Sequence, residues 1–146
     1  MDIAAQLIAA ALGIALLAIG IAHLLWSLGI LWPIRNEQLL ARTVVGFPGI
    51  ERMPAKYKSF GVAVLILAAC VVAFSVADPV SGGLPLTGIA GLAGLVFLAR
   101  GILGYTAWWA TKTPEEPFRS LDRKTYSPLC LLIGIGFIVL ALIRLV

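Results

Sequence analysis

Four apolar runs leave this chain few choices of fold. Ile3 to Leu31, Phe60 to Ala77, Leu86 to Ala110 and Leu129 to Leu145 each reach the roughly 17 to 25 helical residues that cross the hydrocarbon of a bilayer. The segments left over among 146 residues are too short to enclose a second core. With 61% hydrophobic and 12% charged residues and a mean hydropathy of +1.04, the chain carries more apolar surface than a soluble domain of this size can bury. The expected structure is an all-α integral membrane protein, a four-transmembrane-helix bundle forming a single domain over residues 1–146.

The first run does not have the form of a cleavable signal. It opens on Asp2 instead of a basic cluster, and it is about twice as long as a typical signal core. The basic pI near 9.4 could suggest nucleic-acid binding, but nine of the eleven Lys and Arg fall in two inter-helix segments. Pro33 to Ser59 holds Arg35, Arg42, Arg52, Lys56 and Lys58, and Thr111 to Ser127 holds Lys112, Arg119, Arg123 and Lys124. Basic loops stay cytoplasmic, so both segments are expected inside and both termini outside, with no nucleic-acid partner. A multi-pass protein of the cell membrane follows, and helices one and three then run in the same direction.

Several residues are expected to serve packing and anchoring. Thr87, Ala90, Gly94, Gly101 and Gly104 fall along one side of helix three and let a neighbouring backbone approach closely. Trp26, Trp32, Trp108, Trp109, Tyr57 and Tyr126 cluster near the inner helix ends, where amphipathic rings settle at headgroup level. Ser59 and Ser127 are placed to cap helices two and four, Thr113-Pro114-Glu115-Glu116 has the form of a capping box, and Glu37 to Phe47 reads as a short interfacial helix. Arg144 near the last helix end is expected to snorkel. Cys70 and Cys130 differ in depth by roughly 12 to 15 Å, too far for a disulfide, and no Cys/His spacing suggests a metal; no cofactor is implied.

Arg100 interrupts the third apolar run. It stands twelve residues before Lys112, and His23 stands twelve before Arg35, so in parallel helices the two share a depth of roughly 18 Å above the first loop charges. Gly13, Gly20, His23 and Ser27 form a small and polar stripe on helix one that is expected to face the bundle interior. An arginine at this depth costs about 2.5 to 3.5 kcal/mol on insertion scales, and no spanning segment offers Asp or Glu. Its expected partners are backbone carbonyls, an aromatic edge, water, an anionic ligand, or a loop carboxylate such as Asp122 folding upward.

His23-Leu24-Leu25-Trp26-Ser27-Leu28-Gly29, Trp32-Pro33, Ala41-Arg42-Thr43-Val44-Val45-Gly46, Arg52-Met53-Pro54, Arg100-Gly101, Gly104-Tyr105 and Thr113-Pro114 recur in a recognisable order. So do Pro117-Phe118 and the closing Leu121-Asp122 with Tyr126-Ser127-Pro128-Leu129-Cys130. Together they resemble the bacterial membrane proteins of domain-of-unknown-function family 3995. The departures are Ser27 and Ile30, where family members often carry Ala and a second Gly. The resemblance implies a four-helix protein of a bacterial inner membrane and brings no catalytic residues.

Three functions fit these features. The first is binding of an amphiphile or anion in an intramembrane pocket lined by His23, Ser27 and Arg100, with Asp122 and Tyr126 as loop contributors. The second is a structural or accessory subunit whose glycine face packs on a copy of itself or on another membrane protein, while its basic loops meet anionic lipid. The third is an enzyme with His23 as proton carrier and Asp122 or Tyr105 as partner, but no catalytic signature is present.

Overall fold

A computed structural model, described over residues 2–145, is helical and contains four helices long and apolar enough to cross a membrane. They are α1 (Ile3–Ser27), α3 (Lys56–Ala77), α4 (Gly83–Leu103) and α7 (Ser127–Leu145). Three short helices lie in the basic connections: α2 (Glu37–Val44), α5 (Ala107–Lys112) and α6 (Phe118–Leu121), the last joined to α7 by a single π turn, Asp122–Tyr126. The spanning helices pack chiefly as two pairs, α1 on α3 and α4 on α7. A shared core of Leu12, Leu16, Cys70, Ala73, Ile133, Phe137 and Leu140 joins the pairs.

Outward faces are as apolar as inward ones. Mid-helix residues such as Ile14, Leu65 and Leu132 are more than two-thirds exposed, as expected where lipid replaces water as the solvent. Burial of apolar surface then gives little drive for helix association, and close backbone contact and internal polar bonds take its place. The α4 stripe supplies that contact: Thr87, Ala90, Gly94, Gly101 and Gly104 are all buried. A Cβ on Gly101 would stand 2.6 Å from Leu131 Cδ2, and one on Gly134 would stand 2.8 Å from the Leu98 backbone nitrogen. On α1, Gly13 and Gly20 face Phe74 and Leu67 of α3.

Helix ends depart from the sequence reading in instructive ways. The expected run to Leu31 stops at Ser27, with Gly29 at φ +83, and the expected run to Ala110 breaks at Gly104, because Thr106 caps α5 as a separate helix through its bond from Trp109 N. Helix α3 begins at Lys56 with Ala55 at its N-cap, so Ser59 lies buried inside the first turns and caps nothing. Thr113 closes α5, its hydroxyl donating to Trp109 O, and the expected capping box does not form. Ser127 does not cap α7 either, because the chain enters α7 through the π turn without breaking the helix.

Arg144 turns back along the bundle instead of reaching outward. It donates to the carbonyls of Ser75, Val76 and Asp78 at the end of α3 and to Ser81 in the following turn. These are the orphan acceptors of a helix C-terminus, and a cation there also complements the helix dipole. In the same turn the Asp78 carboxylate accepts from Ser81 Oγ and Val80 N, and these bonds hold its pKa below the ordinary value. The cysteines are free.

The backbone contact at Gly134 gives a direct test. Replacing Gly134 with Ala is expected to lower stability by about 1 to 3 kcal/mol through overpacking, read as a fall in the melting temperature of the detergent-solubilised protein. Gly91, whose Cβ would meet nothing within 4 Å, should accept Ala without loss.

Candidate functional site

The partner of Arg100 is Asp122. Arg100 Nη2 lies 2.7 Å from Asp122 Oδ1, and the carboxylate is 2% exposed, although it belongs to the connection and not to a spanning run. Two further donors complete it: Ser127 Oγ at 3.2 Å from Oδ1 and Trp109 Nε1 at 2.8 Å from Oδ2. The guanidinium also stands over the Trp109 ring, 5.2 Å from its centroid, and reaches Ser127 Oγ at 3.5 Å. One buried charge thereby draws α4, α5 and α7 together, and charge-assisted bonds of this kind are the stronger ones.

Local backbone makes the cluster possible. Residues five apart on an α-helix differ by about 140° in direction, which would send Asp122 and Ser127 to different faces. The π turn closes an i to i+5 bond from Ser127 N to Asp122 O and brings both side chains onto one face. Gly104 leaves the space they occupy: a Cβ there would collide with Ser127 Oγ and stand 3.0 Å from Asp122 Oδ2. Tyr105, two residues beyond the end of α4, donates to Arg123 O and fastens the π turn from outside.

The two basic connections form a common cap over this cluster. Arg42 of α2 pairs with Glu115 at 2.9 Å, and Glu115 accepts from Gly49 N through its other oxygen. Phe118 is buried against Gly46, which adopts φ +71. Tyr126 donates to Thr43 O; it joins the two connections and is not among the bonds to Arg100 or Asp122. Arg42 Nε is the one buried side-chain nitrogen without a partner among the described residues. Arg42 and Glu115 also line a cavity of about 200 Å³ at this place.

The remaining candidates, His23 and Ser27, make no bond to the pair among the described residues. His23 packs edge-on against Trp26, ring centroids 4.7 Å apart, and Ser27 donates to Leu24 O within its own helix. Both belong to α1, whose main neighbour is α3, whereas Arg100 sits on the helix that packs on α7. Gly13 and Gly20 of the same stripe face α3. A larger cavity of about 510 Å³ opens at the opposite end of the bundle, and neither cavity is lined by His23, Ser27 or Arg100. No group of three or more His, Cys, Asp or Glu able to hold a metal occurs among the described residues.

Trp109 and Ser127 are the members of the cluster that the sequence reading misses, since the first reads as an inner-end anchor and the second as a helix cap. The Arg42–Glu115 pair was likewise not foreseen. A signal for the first exists in hindsight: Thr106 can cap a separate helix, and only with that break does the indole turn back toward α4.

Four apolar helices closed at one end by an internal ion pair define a helical multi-pass membrane protein. The chain belongs to the family described as Protein of unknown function (DUF3995), whose model matches residues 16–137. The match includes Arg100, Trp109, Asp122 and Ser127. No curated protein and no solved structure matches.

Removing one partner of the pair strands the other. Asp122→Ala is expected to cost about 2 to 3 kcal/mol, below the range for a fully buried pair because part of Arg100 remains exposed. The double variant with Arg100→Gln should cost less than the sum of the single variants, leaving a coupling of roughly 1 kcal/mol or more in a double-mutant cycle on detergent unfolding.

Proposed function

We propose that the protein binds an anionic amphiphile at its basic end, with Arg100 as the contact for the charged head. The observation that carries this reading is the incomplete enclosure of the cation. Asp122 is almost fully buried, yet the Arg100 side chain is 31% exposed. A guanidinium has five N–H donors, and here one makes a short bond to Asp122 and another a long one to Ser127. The outer edge of the group is left for a second anion, held in position by the carboxylate and the Trp109 ring.

The surroundings support the same ligand class. Basic connections at this end favour an anionic surface, and the positive-inside rule places that surface in the cytoplasmic leaflet. In this orientation a cysteine replacing Val80, which is 90% exposed at the opposite end, is expected to react with an impermeant maleimide added to intact cells. Labelling only after the membrane is opened would reverse the orientation. The accessory reading is weakened because α7 occupies the glycine face through which a partner would pack. An enzymatic reading has less support, since the Asp122 oxygens and the Tyr105 hydroxyl are already bonded inside the chain.

Native mass spectrometry with phosphatidylglycerol as probe separates a ligand contact from a purely structural pair. If Arg100 holds the head, Arg100→Gln loses the lipid adduct whereas Asp122→Asn, which frees the cation, keeps or strengthens it. Equal loss in both variants, each still folded, leaves the pair a structural device and removes this function. His23→Ala is the control for the wider pocket: loss of the adduct there would extend the site to His23 and Ser27.

A further inference from the structure

At the end remote from the basic connections, the spanning helices part around a cavity of about 510 Å³. Its walls are largely apolar, with Ala5 from α1, Val76 from α3, Leu84 from α4 and Leu140 from α7. Two opposite charges also line it, Asp2 from the start of α1 and Arg144 from the end of α7. No ion pair joins them among the described residues. Asp2 caps α1 through one oxygen, which accepts from Ala4 N, and its other oxygen makes no bond within the described chain. Among the described residues the bonds from Arg144 go to neutral carbonyls; the nearby Asp78 carboxylate feels its charge but bonds Ser81 and Val80 instead.

We propose that this cavity takes the headgroup and upper chain of an aminophospholipid, with the phosphate at Arg144, the ammonium at Asp2 and an acyl chain along the aliphatic wall. Charge complementarity selects this occupant. A ligand with net negative charge would meet Asp2, and Asp78 in the adjoining turn, while a cation would meet Arg144. A zwitterion satisfies both. A primary ammonium is favoured over a quaternary one, because only the former can donate hydrogen bonds to the free Asp2 oxygen. The volume falls in the usual range for small-ligand sites, about 300 to 1,000 Å³, and the mouth lies at a membrane boundary, where lipids are the abundant amphiphiles. The site is independent of Arg100.

The test is lipid titration by native mass spectrometry in detergent, using phosphatidylethanolamine, phosphatidylcholine and phosphatidylglycerol with identical chains. The wild type should bind the ethanolamine lipid roughly fivefold more tightly than either of the others, about the value of one net hydrogen bond. Asp2→Asn, which retains a capping oxygen, should erase the preference over choline, and Arg144→Gln should weaken binding of the ethanolamine lipid. Since Arg144 also ties α7 to α3, the Asp2 variant is decisive where the Arg144 variant fails to fold. Equal or tighter binding of phosphatidylglycerol overturns the proposal. So does an ethanolamine preference that survives Asp2→Asn, soluble phosphoethanolamine binding as tightly as the lipid, or a second copy of the chain closing the cavity in place of lipid.

Discussion

A carboxylate withdrawn from water must be met by donors from the chain around it, and Asp122 sets this requirement for one end of the bundle. Its oxygens are served by a guanidinium from α4, an indole from α5 and a hydroxyl from the start of α7. Bonds of this type strengthen as the local dielectric falls, and the same fall makes an unmatched charge costly. The bare backbone at Gly104, the π turn and the break before α5 can each be understood as a condition for bringing those three donors to one place.

Elsewhere the bundle is held by shape. Gly94 and Gly134 bring α4 and α7 into backbone contact, while Gly13 and Gly20 receive side chains from α3. The result is two closely packed hairpins that meet along a thinner seam, capped at one end by the joined basic connections and tied at the other by Arg144 across to the α3 terminus. Arg42 with Glu115, and Tyr126 with Thr43, couple the first connection to the second, so the cap spans both hairpins although the charge cluster belongs to one.

Much of this was legible in the residues themselves. Composition and run length give four spanning helices, and the small-residue spacing on α4 gives its buried face. The absence of any acidic residue in the spanning runs turns the search for a partner toward the connections, where Asp122 stood among the candidates. Less legible were features decided by competition between local alternatives. Whether Thr113 starts a helix or ends one depends on where α5 begins, and that depends on Thr106. Equal depth in sequence also carries no information about which helices are neighbours. His23 and Arg100 can share a layer and still lie in different hairpins, and the glycines of the α1 stripe serve contact with α3.

The ion pair links residues separated by 22 positions, and the chain is made in one direction. When α4 is made, the arginine in its last turn is still without its counter-charge, because Asp122 and α7 follow later. The polar closure at this end of the bundle thus waits for the last helix to be made, whereas the glycine contacts of α1 with α3 need nothing that follows them.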